Sequence, residues 1–168
     1  MSTERRLPPW LKVRMPGGPN YSAVSGMLRG NGLHTVCEEA LCPNIGGCWE
    51  RRTATFMVLG DICTRACAYC AVATGSPGTV DLGEPARLAE TVESMGLKYA
   101  VITSVNRDDL PDGGAFIFAQ CIGQVRKRTP HCKVEVLIPD FCGNWGALET
   151  VMAAGPDTLN HNIETVRR

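Results

Sequence analysis

The chain has 168 residues, a length suited to one ordinary domain. With 44% hydrophobic and 20% charged residues it can build a core, which excludes a disordered chain. Its formal net charge is zero and no apolar run approaches the roughly 20 residues of a membrane span, so neither nucleic acid nor a membrane is an expected partner. Met1 to Leu11 carries Arg5 and Arg6, then Pro8 and Pro9, with no apolar stretch behind them. That is not the pattern of a secretory signal, and the expected location is the cytoplasm. Nine cysteines in such a compartment point to metal or redox chemistry rather than to disulfides.

In chain order, the segment before Cys37 shows no strong period. Pro16-Gly17-Gly18-Pro19 is expected to break any element there, leaving an extended arm with one short helix around Val24 to Leu28. Cys37, Cys42 and Cys48 follow at a C-x4-C-x5-C spacing. Thr53 to Leu59 reads as a buried strand bounded by Gly60. On the loop leaving it, Cys63, Cys67 and Cys70 stand at C-x3-C-x2-C.

Glu84-Pro85 opens a helix with Leu88, Val92 and Met95 on one face and Gly96 as its stop. Tyr99 to Thr103 is a second strand, and Gly114 to Arg128 a helix with Phe118, Ile122 and Val125 along one stripe. Lys133 to Ile138 is a third strand, ended by Pro139. Asn144 to Ala154 is a third helix, with Leu148, Val151 and Met152 expected to face inward. Asp157 to Asn162 reads as a fourth strand.

Strand and helix alternating at this spacing predict a parallel sheet with right-handed crossovers. The fold class is α/β: a partial (β/α) TIM-type barrel of about four strands over residues 53–168, preceded by an arm over 1–52. In such folds chemistry sits at the C-terminal ends of the strands. The polar residues gather there, at Asp61 to Cys70, Ser104 to Asp112, Asp140, and Asn160 to Glu164.

Three thiolates within the Cys63–Cys70 loop can hold three irons of a [4Fe–4S] cluster and leave the fourth without a protein ligand. That iron can chelate the amino and carboxylate groups of S-adenosylmethionine, whose cleavage yields a carbon radical. A zinc site is the plain alternative, but it usually wants four ligands and C-x2-C pairs. Cys37, Cys42 and Cys48 alone could equally be a structural zinc knuckle. Cys121, Cys132 and Cys142 share no spacing and are read as non-ligands, and His34 and His131 as structural.

Both triplets together resemble the lipoyl synthases. The likeness runs through Trp10-Leu11-Lys12-Val13-Arg14, Leu33 to Ala40, Cys42-Pro43-Asn44-Ile45-Gly46, Cys48-Trp49, Thr53 to Met57, Gly60-Asp61, Cys63-Thr64-Arg65 and Cys70-Ala71-Val72. It continues through Val101 to Val105, Arg107 to Leu110, Asp112 to Ala115, Glu135 to Phe141 and Asn160 to Val166.

The resemblance implies a radical enzyme that inserts two sulfur atoms, at C6 and C8, into an octanoyl chain carried on a lysine. Cys63, Cys67 and Cys70 would hold the cluster that cleaves S-adenosylmethionine, and Cys37, Cys42 and Cys48 an auxiliary [4Fe–4S] cluster serving as the sulfur source. The implied partners are octanoylated lipoyl carrier domains, those of 2-oxoacid dehydrogenase E2 subunits and the glycine cleavage H protein, with a ferredoxin or flavodoxin as electron donor. Thr103 and Ser104 fall where a contact to the amino group of S-adenosylmethionine is expected, and Asn160 and Asn162 could reach its ribose or carboxylate. Tyr69 either packs near the adenine or is simply a half-buried aromatic. Arg107, Asp108 and Asp109 form a loop either functional or merely solvated.

The chain departs from the family at Gly47, where an acidic residue is common, and at Ala68, where a larger side chain is common. Family members continue past the fourth strand and supply a late serine to the auxiliary cluster, so a chain ending at Arg168 is expected to be a fragment, poorly soluble and inactive in sulfur insertion. A sulfur-inserting enzyme closer to biotin synthase is the nearest rival, opposed by the upstream triplet. A non-catalytic zinc protein is the rival of a different class.

Overall fold

A computed structural model describes residues 15–163, together with Pro8 and Lys12. The family-like stretches at Trp10–Arg14 and beyond Ile163 fall largely outside the described residues. The first helix, α1 (Pro19–Gly30), is longer than the one turn or so expected. Pro19 does not break it but starts it: a proline in the first turn loses no hydrogen bond, because that amide has no partner within the helix anyway. The cap comes from far along the chain. Glu50 Oε2 accepts the Tyr21 amide at 3.1 Å, and the Glu50 carbonyl accepts from Asn20 Nδ2 at 3.0 Å. Val24 and Leu28 are fully buried, and the Tyr21 ring lies 5.0 Å from that of Trp49.

The rest of the arm is also folded. A two-residue strand, β1 (His34–Thr35), leads into a single turn, α2 (Val36–Glu39), whose amide at Glu38 is capped by Thr35 Oγ1. The short α3 (Ile45–Glu50) follows. Because β1 pairs antiparallel with the next strand, β2 (Thr55–Val58), the arm is an edge of the main sheet. Leu33, Cys37 and Trp49 share its buried cluster.

After β2 come two short parallel strands, β3 (Ile62–Cys63) and β4 (Ala73–Thr74), which form a sheet of their own. The alternation then follows the expected order: α4 (Glu84–Met95), β5 (Tyr99–Ser104), α5 (Ala115–Arg128), β6 (Lys133–Leu137), α6 (Trp145–Ala153) and β7 (Thr158–Asn160). The main sheet runs β1-β2-β5-β6-β7, parallel from β2 onward. This is the predicted barrel-type βα succession.

Register separates two faces. Phe56, Ile102, Val136 and Leu159 lie in one row across the sheet. The first three are buried together with Leu88, Val92, Phe118, Ile122, Val125 and Val151 of the helices. Full burial of such a side chain is worth about 1.5–3 kcal/mol. The adjacent row, Met57, Thr103, Leu137 and Asn160, lies on the opposite face, since side chains alternate along a strand. On that face Glu135 accepts hydrogen bonds from Tyr99 Oη and Asn160 Nδ2. Met152, expected inside, is instead exposed, and Ala147 takes its place with Val151. A helix of nine residues buries only a narrow stripe, and residue 152 follows Val151 by about 100°, off that stripe.

Gly96 takes the left-handed conformation (φ 64°) that ends α4 as predicted. Gly114 (φ 87°) precedes α5, and a β-carbon there would lie 2.2 Å from Leu59 Cδ1, so this turn and the Leu59 side chain admit only glycine.

Glu84 is 4% exposed, and Oε2 accepts the Leu59 amide at 2.9 Å. Burial raises its carboxyl above the ordinary value of 4.5. A carboxyl raised in the fold stabilises most when protonated. Its contribution is therefore full below pH 4.5 and is lost as pH rises through the higher folded value. In urea unfolding the stability difference between Glu84→Gln and the unsubstituted chain should move in favour of the glutamine between about pH 4 and pH 7. A difference independent of pH contradicts the assignment.

Candidate metal and cofactor site

The loop that carries Cys63, Cys67 and Cys70 begins with a bend forced at the end of β2. Leu59 sits at φ 70°, unusual for a branched residue, and Gly60 at φ 89°. The Glu84 carboxylate holds the Leu59 amide in that conformation, so the strain is fixed by a buried group at the mouth of the sheet. The loop is then pinned at both ends: β3 pairs with β4, and the Gly75 amide donates to the Cys63 carbonyl at 3.0 Å.

Cys63 Sγ accepts the amides of Arg65 (3.4 Å) and Asn106 (3.3 Å). Two backbone amides thus orient this sulfur toward the strand ends. Cys67 and Cys70 are exposed, with the Cys70 amide donating to the Cys67 carbonyl at 3.0 Å. All three line one cavity of about 200 Å³ at the C-terminal ends of β2, β5 and β6.

The other predicted contacts divide. Tyr69, Thr103, Ser104 and Asn162 line the same cavity. Tyr69 is 70% exposed, more open than a half-buried packing residue. Thr103 Oγ1 donates to the Leu137 carbonyl at 2.9 Å, so toward the cavity it has lone pairs only to offer. Register puts the Ser104 side chain with Val58, on the face opposite Thr103, and its buried Oγ has no partner among the described residues. Asn160 is not a lining residue of this cavity, and its amide is held by Glu135.

Cys37 is buried on α2, while Cys42 and Cys48 are partly buried. Burial pushes the Cys37 thiol up, and the Thr55 amide and the Trp49 indole pull it back. The indole Nε1 is buried beside Cys37 yet forms no hydrogen bond of normal geometry. Backbone turns link this triplet: the Cys42 amide donates to the Cys37 carbonyl at 3.1 Å and the Ile45 amide to the Cys42 carbonyl at 3.2 Å, leading into α3, which carries Cys48. Cys121 and Cys132 are buried in the core, where desolvation raises both thiols.

Among the described residues no group of three or more His, Cys, Asp or Glu side chains converges as one metal ion would require. A cubane does not ask for that, because each thiolate takes its own iron. Three thiols around one open cavity, with no fourth His, Cys, Asp or Glu converging on them among the described residues, fit a cluster with one open iron better than a four-ligand zinc.

One network has no clear signal in the sequence. The Arg65 guanidinium makes paired contacts with Asp108 (2.8 and 2.8 Å) and Asp140 (2.9 and 2.7 Å). These hydrogen bonds hold the Asp140 carboxyl down to about 2 and Asp108 below its usual range. Cys142 Sγ donates to Asp108 Oδ1 at 3.2 Å and lies 3.3 Å from Arg65 Nη2. The only hint along the chain is that Asp108 and Asp140 each follow a strand end. Arg107, by contrast, is buried and bound to Asp109 and to the Leu59 and Gly78 carbonyls. Its part in the loop is to hold it together.

Comparison with known proteins agrees with this geometry. The family model of the radical SAM superfamily matches residues 57–168, and that of the N-terminal domain of lipoyl synthase matches residues 1–42. A lipoyl synthase of Chloroflexus aurantiacus is 64% identical over 163 residues, which cover 97% of this chain and 53% of the relative. That of Roseiflexus sp. is 64% identical over 167 residues, covering 99% and 56%. That of Rubrobacter xylanophilus is 61% identical over 161 residues, covering 96% and 50%. The chain thus spans about half the length of the curated relatives it matches.

Proposed function

The chain belongs to the radical SAM superfamily, in its lipoyl synthase branch, and from that premise we propose that it serves radical sulfur insertion into a protein-bound octanoyl-lysine, at C6 and C8. This makes it part of a sulfurtransferase. The observation that carries the reading is the gathering of Cys63, Cys67 and Cys70 around one cavity at the strand ends, beside Thr103 and Asn162.

Cys63, Cys67 and Cys70 would hold a [4Fe–4S] cluster with one iron left for S-adenosylmethionine, and Cys37, Cys42 and Cys48 an auxiliary cluster. When bound, these groups supply a carbon radical able to take hydrogen from an unactivated carbon, and the sulfur that replaces it. Thr103 presents lone pairs to the cavity, its proton being committed to Leu137, which suits an ammonium donor such as the amino group of S-adenosylmethionine. Asn162 completes the polar side of that pocket, Ser104 contributes backbone there while its side chain lies on the other face, and Tyr69 offers an aromatic face for the adenine. Asn160, on the same sheet face as Thr103, supports the pocket through Glu135.

The substrate partners are octanoylated lipoyl carrier domains of E2 subunits and of the glycine cleavage H protein, and the electron donor is a ferredoxin or flavodoxin. The cytoplasm is the proposed site of action; no helix among the described residues is long and apolar enough to cross a membrane.

The test is anaerobic reconstitution with iron and sulfide, followed by S-adenosylmethionine, a reductant and an octanoyl-lysyl peptide. A brown chain that releases 5′-deoxyadenosine and methionine supports the reading. A colourless chain that takes zinc in preference and cleaves nothing sinks it.

A further inference from the structure

Besides the backbone pairings that pin its ends, the loop carrying Cys63, Cys67 and Cys70 has an anchoring side chain between its first two cysteines. Arg65 grips two carboxylates at once: Nε and Nη2 on Asp108, Nη1 and Nη2 on Asp140, all within 2.9 Å. Each carboxylate belongs to a different strand end, Asp108 after β5 and Asp140 after β6. Both are themselves held. Thr64 Oγ1 donates to Asp108 Oδ2 at 3.1 Å, and the Cys142 amide to Asp140 Oδ1 at 2.9 Å. Paired fork contacts of this kind fix direction as well as distance, and a lysine cannot reproduce them.

The exposure of Cys67 and Cys70 makes this anchoring consequential. Packing restrains those two exposed residues less than Cys63, so where Arg65 is held adds directly to what fixes the loop between its pinned ends. Cys142 Sγ, against both Arg65 and Asp108, closes the network from the β6 side.

We propose that Arg65, held by Asp108 and Asp140, is a positioning residue that sets the geometry of the Cys63–Cys70 loop for its metal centre. The proposal rests on reading the three cysteines as iron ligands. Groups that orient ligands from outside the first coordination sphere typically change metal affinity by about 10–100-fold when removed. Exposed ion pairs contribute little to global stability. The signature is therefore a large effect on the metal centre with a small effect on the fold.

Arg65→Gln, Arg65→Lys and Asp140→Asn are compared with the unsubstituted chain after anaerobic reconstitution. Three quantities are followed: iron per chain, the rate of iron transfer to a ferrous chelator, and the EPR spectrum of the reduced centre with and without S-adenosylmethionine. Arg65→Gln should release iron about 10–100-fold faster with an altered spectrum, while the melting temperature of the iron-free chain moves little. Arg65→Lys should recover only part of the retention, and Asp140→Asn, outside the loop, should shift it in the same direction by less. Variants that keep iron and spectrum like the unsubstituted chain overturn the proposal. An unsubstituted chain that takes up no iron overturns the assignment of the three cysteines, and the proposal with it. Should Arg65→Gln fail to fold, an unchanged release rate in Asp140→Asn is sufficient to overturn it.

Discussion

Replacing Cys63, Cys67 and Cys70 together by alanine should halve the iron and sulfide bound per chain and abolish cleavage of S-adenosylmethionine. The first effect follows from the donor set: the loop offers no other thiol, and its three thiolates would hold three irons of a cubane and leave the fourth open. The second follows from placement, since these are the thiols that share a cavity with Thr103 and Asn162. The companion triple variant, Cys37→Ala/Cys42→Ala/Cys48→Ala, should also lose about half the iron yet still cleave S-adenosylmethionine. Anaerobic iron and sulfide assays, with chromatography of 5′-deoxyadenosine, separate the two. Equal loss of cleavage in both variants contradicts the division of labour. Cys121→Ala, buried in α5, should leave the iron content unchanged.

The largest effect on stability is expected at Phe118. Its ring is fully buried in α5 and meets Phe141 edge to face, with centroids 6.4 Å apart at 85°. Truncating such a side chain removes its transfer energy and leaves a cavity, a cost of about 3–5 kcal/mol. A domain of this kind holds only about 5–15 kcal/mol in total. Phe118→Ala should therefore shift the urea midpoint far toward zero with little change in slope. The consequence reaches the site. Phe141 is held at φ 47° next to Asp140 and Cys142, so loosening its ring frees the turn that presents Asp140 to Arg65. A loss below about 1 kcal/mol would mean that the neighbouring side chains refill the space.

The six clustered cysteines are legible in the sequence because ligation needs several thiolates close together, and closeness along the chain guarantees it. The βα alternation is legible for a similar reason. Glu84-Pro85 at one end and Gly96 at the other bound a helix whose apolar positions recur every turn, and start, stop and period are all local signals.

The arm is folded where its sequence predicts an extended segment, because its determinants are distant. The α1 cap is Glu50, on another helix, and β1 exists only by pairing with β2. The exposure of Met152 turns on how narrow a stripe α6 buries, which depends on α5 beside it rather than on composition.

At the site, spacing alone determined which thiols can share a metal centre, because eight residues of chain, Cys63 to Cys70, cannot carry them far apart. Which other groups join them was decided by tertiary structure. Asn160 and Asn162 are two residues apart, yet one is bound to Glu135 and the other lines the cavity. Thr103 and Ser104 are adjacent, yet the strand sends their side chains to opposite faces. Arg65 meets Asp140 across 75 positions only because parallel strands bring their C-terminal ends to one rim. Local residue order sets ligand spacing and helix period, whereas convergence of distant groups requires the sheet to form first.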